Sequence, residues 1–123
     1  MTEQQKKILV VEDEKPMARA LQIKLQREGF SATTVFNGAA ALEMVSKESY
    51  DLIMCDLIMP KMDGFHVLEG LRAQGSTTPI MIMTNLSQEE DRQKALDMGA
   101  CDFLVKSDTP IAEIIARVRK LLD

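Results

Sequence analysis

Five polar side chains stand at the ends of short apolar runs. Glu12 and Asp13 follow Ile8 to Val11, Asp56 follows Leu52 to Cys55, Thr84 follows Ile80 to Met83, and Lys106 follows Phe103 to Val105. If these runs are parallel strands of one sheet, all five groups point into one shallow cleft. Three carboxylates so gathered repel one another unless a cation neutralises them. Magnesium (or manganese) suits such a cleft, because it takes oxygen ligands and keeps water or phosphate oxygens in its shell. A lysine adds a second positive charge, and a threonine hydroxyl donates to an oxyanion. The set suits phosphoryl transfer to a carboxylate: an aspartate attacks phosphorus in line and becomes an aspartyl phosphate, while metal ion and lysine offset the spread negative charge. Asp56 is the best nucleophile candidate, since it ends the most buried run, and Glu12 and Asp13 then serve the metal. Singly, each residue has a plainer explanation: a turn or helix cap for the acidic pair, a strand end for Asp56, an ordinary strand position for Thr84, a solvated loop for Lys106. Complementary chemistry at four strand ends together makes the joint plain explanation a poor one.

The elements that must position these groups are legible in the apolar pattern. The first, third and fourth runs are continuously apolar rather than alternating, as in strands covered on both faces. Ala32 to Phe36 is a weaker, threonine-rich run. Helical patterns lie between. Met17, Ala20, Leu21 and Leu25 follow 3/4 spacing, with Pro16 in the first turn and Gly29 past the end. Asn37-Gly38 opens a second helix, from about Ala39 to Lys47. Asp63 caps a third with Phe65, Leu68 and Leu71 on one face. Ser87 and Glu90 read as a capping box for a fourth, ending at Gly99. Thr109-Pro110 starts the last, whose Ile111, Ile114, Ile115, Val118 and Leu122 form one apolar stripe. Its Arg117, Arg119 and Lys120 suit the negative end of the helix dipole. Five alternating strand–helix units imply an α/β fold: a five-stranded parallel sheet with helices on both faces and right-handed crossovers. Ligands of such sheets bind beyond the carboxyl ends of the strands.

Composition narrows the rest. The 123 residues are 46% hydrophobic and 28% charged, ordinary for one globular domain. Lys plus Arg number 15 against 19 Asp plus Glu, a net charge of −4. An acidic domain repels phosphate backbones and anionic lipid, which argues against direct nucleic-acid or membrane binding. No apolar run is long enough to span a bilayer, and the polar start MTEQQKK is unlike a signal peptide. Cys55 and Cys101 sit in apolar surroundings without metal-like spacing, so a reduced, cytoplasmic protein is expected. His66 is the single histidine, which excludes His-rich metal sites; it is expected on the exposed side of the third helix. Met59 and Met62, beside the Asp56 loop, are expected to pack in the core or loop.

Four segments in order, ILVVEDE (Ile8 to Glu14), DLIMCDLIMPKMDGF (Asp51 to Phe65), PIMIMT (Pro79 to Thr84) and GACDFLVK (Gly99 to Lys106), resemble the receiver domain of two-component response regulators. The resemblance covers about Lys7 to Leu122, so residues 1–123 are expected to form a single receiver domain with no output domain. It implies a flavodoxin-like three-layer sandwich with strand order 2-1-3-4-5, which periodicity alone does not yield. It implies that Asp56 accepts the phosphoryl group and that Asp13 and Asp56 ligate Mg2+ (or Mn2+), with Glu12 acting mostly through water and Ile58 giving its backbone carbonyl. Thr84 becomes the switch hydroxyl, Asn85 faces the phosphoryl group, Lys106 bridges to a phosphoryl oxygen, and Phe103 changes exposure on activation. The implied donor is a histidine kinase or histidine phosphotransfer protein, with a downstream protein target. Such a chain assists its own phosphorylation without being a metabolic enzyme.

Two features depart from, or refine, that pattern. The family usually places a cis proline after the lysine, whereas Ser107 follows Lys106 here; a cis bond before serine costs about 3 kcal/mol, so a trans bond and a rearranged loop are expected. Ile58 and Leu86, two residues past Asp56 and Thr84, are apolar and position no attacking water, so a long-lived phosphoryl group is expected. The same fold used only as a docking or dimerising module, without phosphorylation, is the alternative; Lys94, Asp97, Asp102 and Arg117 suit either a symmetric dimer through the last helices or a solvated face. A flavin carrier would need a Ser/Thr/Gly-rich loop where EDEKPM stands. An aspartyl phosphatase would carry Asp-x-Asp and cap segments.

Overall fold

The computed structural model describes residues 5–60, 62–85 and 88–123. Strands β1 (Lys7–Val11), β2 (Ser31–Val35), β3 (Leu52–Asp56), β4 (Ile80–Thr84) and β5 (Asp102–Val105) alternate with helices α1 (Lys15–Arg27), α2 (Gly38–Lys47), α3 (Gly64–Ala73), α4 (Glu89–Asp97) and α5 (Ile111–Leu122). The strands form one parallel sheet in the order β2-β1-β3-β4-β5. Both faces are covered, which explains the continuous apolar runs. Along β1, Leu9 and Val11 pack with Ala41 of α2, Val67, Leu68 and Leu71 of α3 and Ala95 of α4. Ile8 and Val10 pack with Leu21 and Leu25 of α1 and with Ile114, Ile115 and Val118 of α5. Burying each large aliphatic side chain contributes about 1.5–3 kcal/mol.

The expected strands are present with shifts of one residue. Asp56 and Thr84 are themselves the last residues of β3 and β4, because the ladder outlasts the apolar run by one position. β2 begins at Ser31, whose N–H donates to the Lys6 carbonyl (2.9 Å).

Helix ends follow local chemistry. Asp63 Oδ1 accepts the His66 N–H (2.9 Å) and caps α3, while Asn37 Oδ1 accepts from Ala40 and caps α2. At α4 the expected capping box rests on Ser87; Gln88 stands at the N-cap and makes no side-chain cap bond. Glu89, Glu90 and Asp91 meet the positive helix end instead; Ser87, and Leu86 before it, lie outside the described residues. α4 ends at Gly99, whose positive φ lets its N–H reach Leu96 O while Ala100 N–H reaches Ala95 O. α1 ends the same way at Gly29.

Cys55 is buried as expected, but Cys101 is exposed. It stands where the chain turns from α4 into β5, just before the edge strand of the sheet. No helix among the described residues is long and apolar enough to cross a membrane.

Candidate functional site

Parallel strands deliver their carboxyl ends to one rim. Register sets the depth: Val11 lies beside Cys55, Asp56 beside Met83 and Thr84 beside Val105. Glu12 continues one step past Val11, held by its N–H to the Val35 carbonyl (3.1 Å), and so stands level with Asp56. Past Asp56, Leu57 N–H donates to Met83 O (3.0 Å), and Gly64 N–H donates back to Leu57 O (2.7 Å). The first turn of α3 thereby presses on the end of β3. A Cβ at Gly64 would stand 2.8 Å from the Asp56 carbonyl oxygen and 2.9 Å from Leu57 Cα. Backbone cannot retreat as a flexible side chain can, so glycine is needed there.

Glu12 is fully buried and Asp56 only 4% exposed. Oxygens of Glu12, Asp13 and Asp56 all lie within 4.8 Å of one another, a group of hard anionic donors that could hold a metal ion. Lys106 reaches in from the end of β5. Its Nζ donates to Glu12 Oε1 at 2.7 Å and to Asp56 Oδ2 at 3.0 Å. Asp56 Oδ1 accepts a long bond, 3.4 Å, from the Ile58 N–H. One ammonium thus faces three carboxylates.

That imbalance shows in the ionisation of the groups. Burial pushes the Glu12 carboxyl up to about 7, and the neighbouring Asp56 adds to the rise, against the opposing pull of Lys106. Burial alone would lower the Lys106 ammonium, but its hydrogen bonds to Glu12 and Asp56 outweigh that and hold it above the usual lysine range.

A cavity of about 340 Å³ opens over the cluster, lined by Asp13, Glu14, Asp56, Ile58, Asn85 and Lys106. Ile58 is 56% exposed at its mouth. Thr84 is fully buried at the end of β4 and does not line the cavity. Phe103 is 8% exposed and packs in the core cluster on the α3 and α4 side of the sheet.

The expected residues therefore fall into three tiers. Glu12, Asp13, Asp56 and Lys106 converge; Ile58 and Asn85 wall the cavity; Thr84 and Phe103 lie behind it. Sequence spacing does not reveal that Lys106 bonds Glu12 as well as Asp56, nor that Glu14 lines the cavity; run-end position was the signal available for Glu14. Lys106 to Asp108 form a 3-10 turn, and no cis peptide bond occurs among the described residues. Thr109 Oγ1 donates to Val105 O (2.7 Å) and ties this turn back to β5. All four charges considered for a dimer have partners within the chain: Arg117 pairs with Asp102 (3.1 Å), Asp97 accepts from Gln93, and Lys94 lies 4.2 Å from the Phe65 ring centroid.

Comparison with known proteins shows the family and the fold. The family model for the response regulator receiver domain matches residues 8–119. The transcriptional regulatory protein PcoR of Escherichia coli is 40% identical over 116 residues, 94% of this chain and 51% of that protein. The chain spans about half the length of the curated relatives it matches. Among solved structures, the receiver domain of Francisella response regulator 1452 is similar with TM-score 0.88 and 35% identity, over 94% of this chain and 95% of that one. The Vibrio cholerae chemotaxis protein CheY4 is similar with TM-score 0.89 and 28% identity, over 96% and 99%.

Proposed function

This chain belongs to the response regulator receiver domain family, and from that premise we propose that Asp56 is its phospho-acceptor, served by Glu12, Asp13, Thr84, Asn85 and Lys106. As a receiver domain of two-component response regulators it is a signalling module. The observation that carries the residue assignment is the double hydrogen bond of Lys106 Nζ to Glu12 and Asp56, with Asp13 beside them.

The donor set fits a hard divalent cation. Asp13, Asp56 and the Ile58 backbone carbonyl would hold Mg2+ (or Mn2+), with Glu12 acting through water, and the bound ion would offset charge on the phosphoryl oxygens. The chain's own residues would act as follows. An Asp56 carboxylate oxygen attacks the phosphorus of a phosphohistidine on a histidine kinase or phosphotransfer protein. The new O–P bond forms as the P–N bond breaks, and the imidazole leaves with the electron pair. Lys106 Nζ, already on Asp56 Oδ2, transfers its donation to a phosphoryl oxygen. Asn85 at the cavity wall supplies a further donor. Thr84 moves towards the phosphoryl group, Phe103 repacks into the vacated space, and the face formed by α4, β5 and α5 changes for a downstream protein target. Such a switch needs a few kcal/mol of differential stabilisation.

The chain is not a metabolic enzyme in this reading. The domain itself contacts neither nucleic acid nor membrane, in keeping with its net charge of −4, and it works in the cytoplasm, in keeping with two free thiols. A homodimer through α4 and α5 would have to exchange the Arg117–Asp102 contact for one between chains.

Intact mass after incubation with acetyl phosphate and Mg2+ tests the assignment. The expected result is a gain of one phosphoryl group in the wild-type chain, dependent on Mg2+ and absent from Asp56→Asn. An equal gain in Asp56→Asn would overturn it.

A further inference from the structure

The acidic cleft is not the largest hollow of the molecule. A groove of about 730 Å³ lies between the outer side of α1 and the end of β2, the edge strand of the sheet. Its floor is apolar: Ile23 and Phe36 are 41% and 42% exposed, two of the five exposed large apolar side chains among the described residues. Its rim carries Lys15 and Arg19 and no acidic residue. The Lys15 ammonium stands 5.3 Å from the Phe36 ring centroid, and neither cation makes an ion pair among the described residues. Several basic side chains elsewhere do find carboxylates: Lys24 and Arg119 pair with Glu28, Arg92 with Glu89 and Arg117 with Asp102. In a chain of net charge −4, an apolar trough with two uncompensated cations is a local reversal of sign. Gln22 Nε2 donates to the Ala32 carbonyl (3.1 Å), which fixes this wall of the groove and closes part of the free edge of β2.

We propose that this groove docks an acidic segment of a partner protein that carries one aromatic or large aliphatic side chain. The apolar side chain rests between Ile23 and Phe36, and flanking carboxylates meet Lys15 and Arg19. An exposed apolar patch rimmed by charge is the usual form of such a surface, with the anchor giving affinity and the charges giving encounter rate and selectivity. A polynucleotide would satisfy the two cations but leave the apolar floor uncovered. None of these groove residues lines the cavity above Asp56, so the proposal stands apart from the phospho-acceptor assignment.

The test is an amide chemical-shift titration of the isotope-labelled full chain. The probe is a short synthetic peptide with one phenylalanine flanked by aspartates and glutamates. Expected are saturable shifts confined to residues 15–26 and 34–36 that weaken with added salt. Affinity should fall at least tenfold in Arg19→Glu and in Phe36→Ser, and equally when serine replaces the phenylalanine of the peptide. Asp56→Asn should bind as the wild type does. No saturable shift, shifts centred elsewhere, undiminished binding of the serine peptide, or tighter binding of a short oligonucleotide would each overturn the proposal.

Discussion

The two ends of the sheet are built on opposite plans. At the carboxyl ends of the strands, three carboxylates crowd around one ammonium, and the fully buried Glu12 is pushed up to about 7. At the amino ends, charge and hydrogen bonding close on themselves. Lys7 N–H donates to Asp51 Oδ2 (2.7 Å) while Asp51 N–H returns to Lys7 O (2.7 Å). The Arg72 guanidinium binds the carbonyls of Ser76 and Thr78 and, across the chain, that of Gly99. The difference between the two ends lies in charge balance. The amino end is arranged for stability; the carboxyl end holds excess negative charge that a proton on Glu12 or a bound cation would relieve. Substitutions at the two ends should therefore separate folding from signalling.

Lys106→Ala should give the largest effect. It strips the cation that bonds two buried carboxylates, and removing one partner of such a cluster costs about 3 kcal/mol. Urea unfolding in chelator should show that loss, and added Mg2+ should recover part of it. A variant as stable as the wild type in chelator would mean that the cluster is not strained.

Arg72→Ala comes next. Losing charge-assisted bonds to three carbonyls should cost about 2 kcal/mol, yet phosphoryl uptake per folded molecule should not change. Impaired uptake at full folding would break the division between the two ends.

A smaller effect should appear in the pH dependence of the metal-free protein. The Glu12 carboxyl titrates higher folded than unfolded, about 7 against 4.5. The folded state then binds the proton more tightly, so this group's stabilisation is full below about 4.5 and is lost as pH rises through about 7. Melting curves in chelator should show that decline, and Glu12→Gln should flatten it. A decline of the same size in Glu12→Gln would assign the effect to another group.

The mildest change concerns Ile58, exposed at the cavity mouth. Ile58→Asn should let an attacking water be held and hasten loss of the phosphoryl group roughly fivefold, ~1 kcal/mol of barrier. Decay as slow as in the wild type would remove Ile58 from the account.

Legibility in the sequence also differed between the ends. The strand-end residues were readable because both faces of β1, β3 and β4 are covered, so each apolar run stops at the polar rim. Where the cover thins, the reading slipped: β2 is half-exposed and shifted by a residue, and Cys101 was expected in apolar surroundings. α4 buries only Ala95, so its apolar pattern is too thin to fix where the helix begins. Strand order came from the family resemblance, since periodicity records which residues are covered and not which strand lies beside which. The bond between Lys106 and Glu12 spans 94 positions, and the Arg72 contacts run to backbone carbonyls, so neither leaves a mark in composition or spacing.

The central claim is that one carboxyl group takes the phosphoryl. Phosphorylation with acetyl phosphate and Mg2+, reduction of the acyl phosphate by borohydride, and peptide mass mapping would locate it. The alcohol produced by reduction should appear at position 56 and nowhere else, and should vanish when Mg2+ is chelated. Reduction at Asp13 or Glu12, or an untouched position 56 in a chain that has gained a phosphoryl group, would contradict the account.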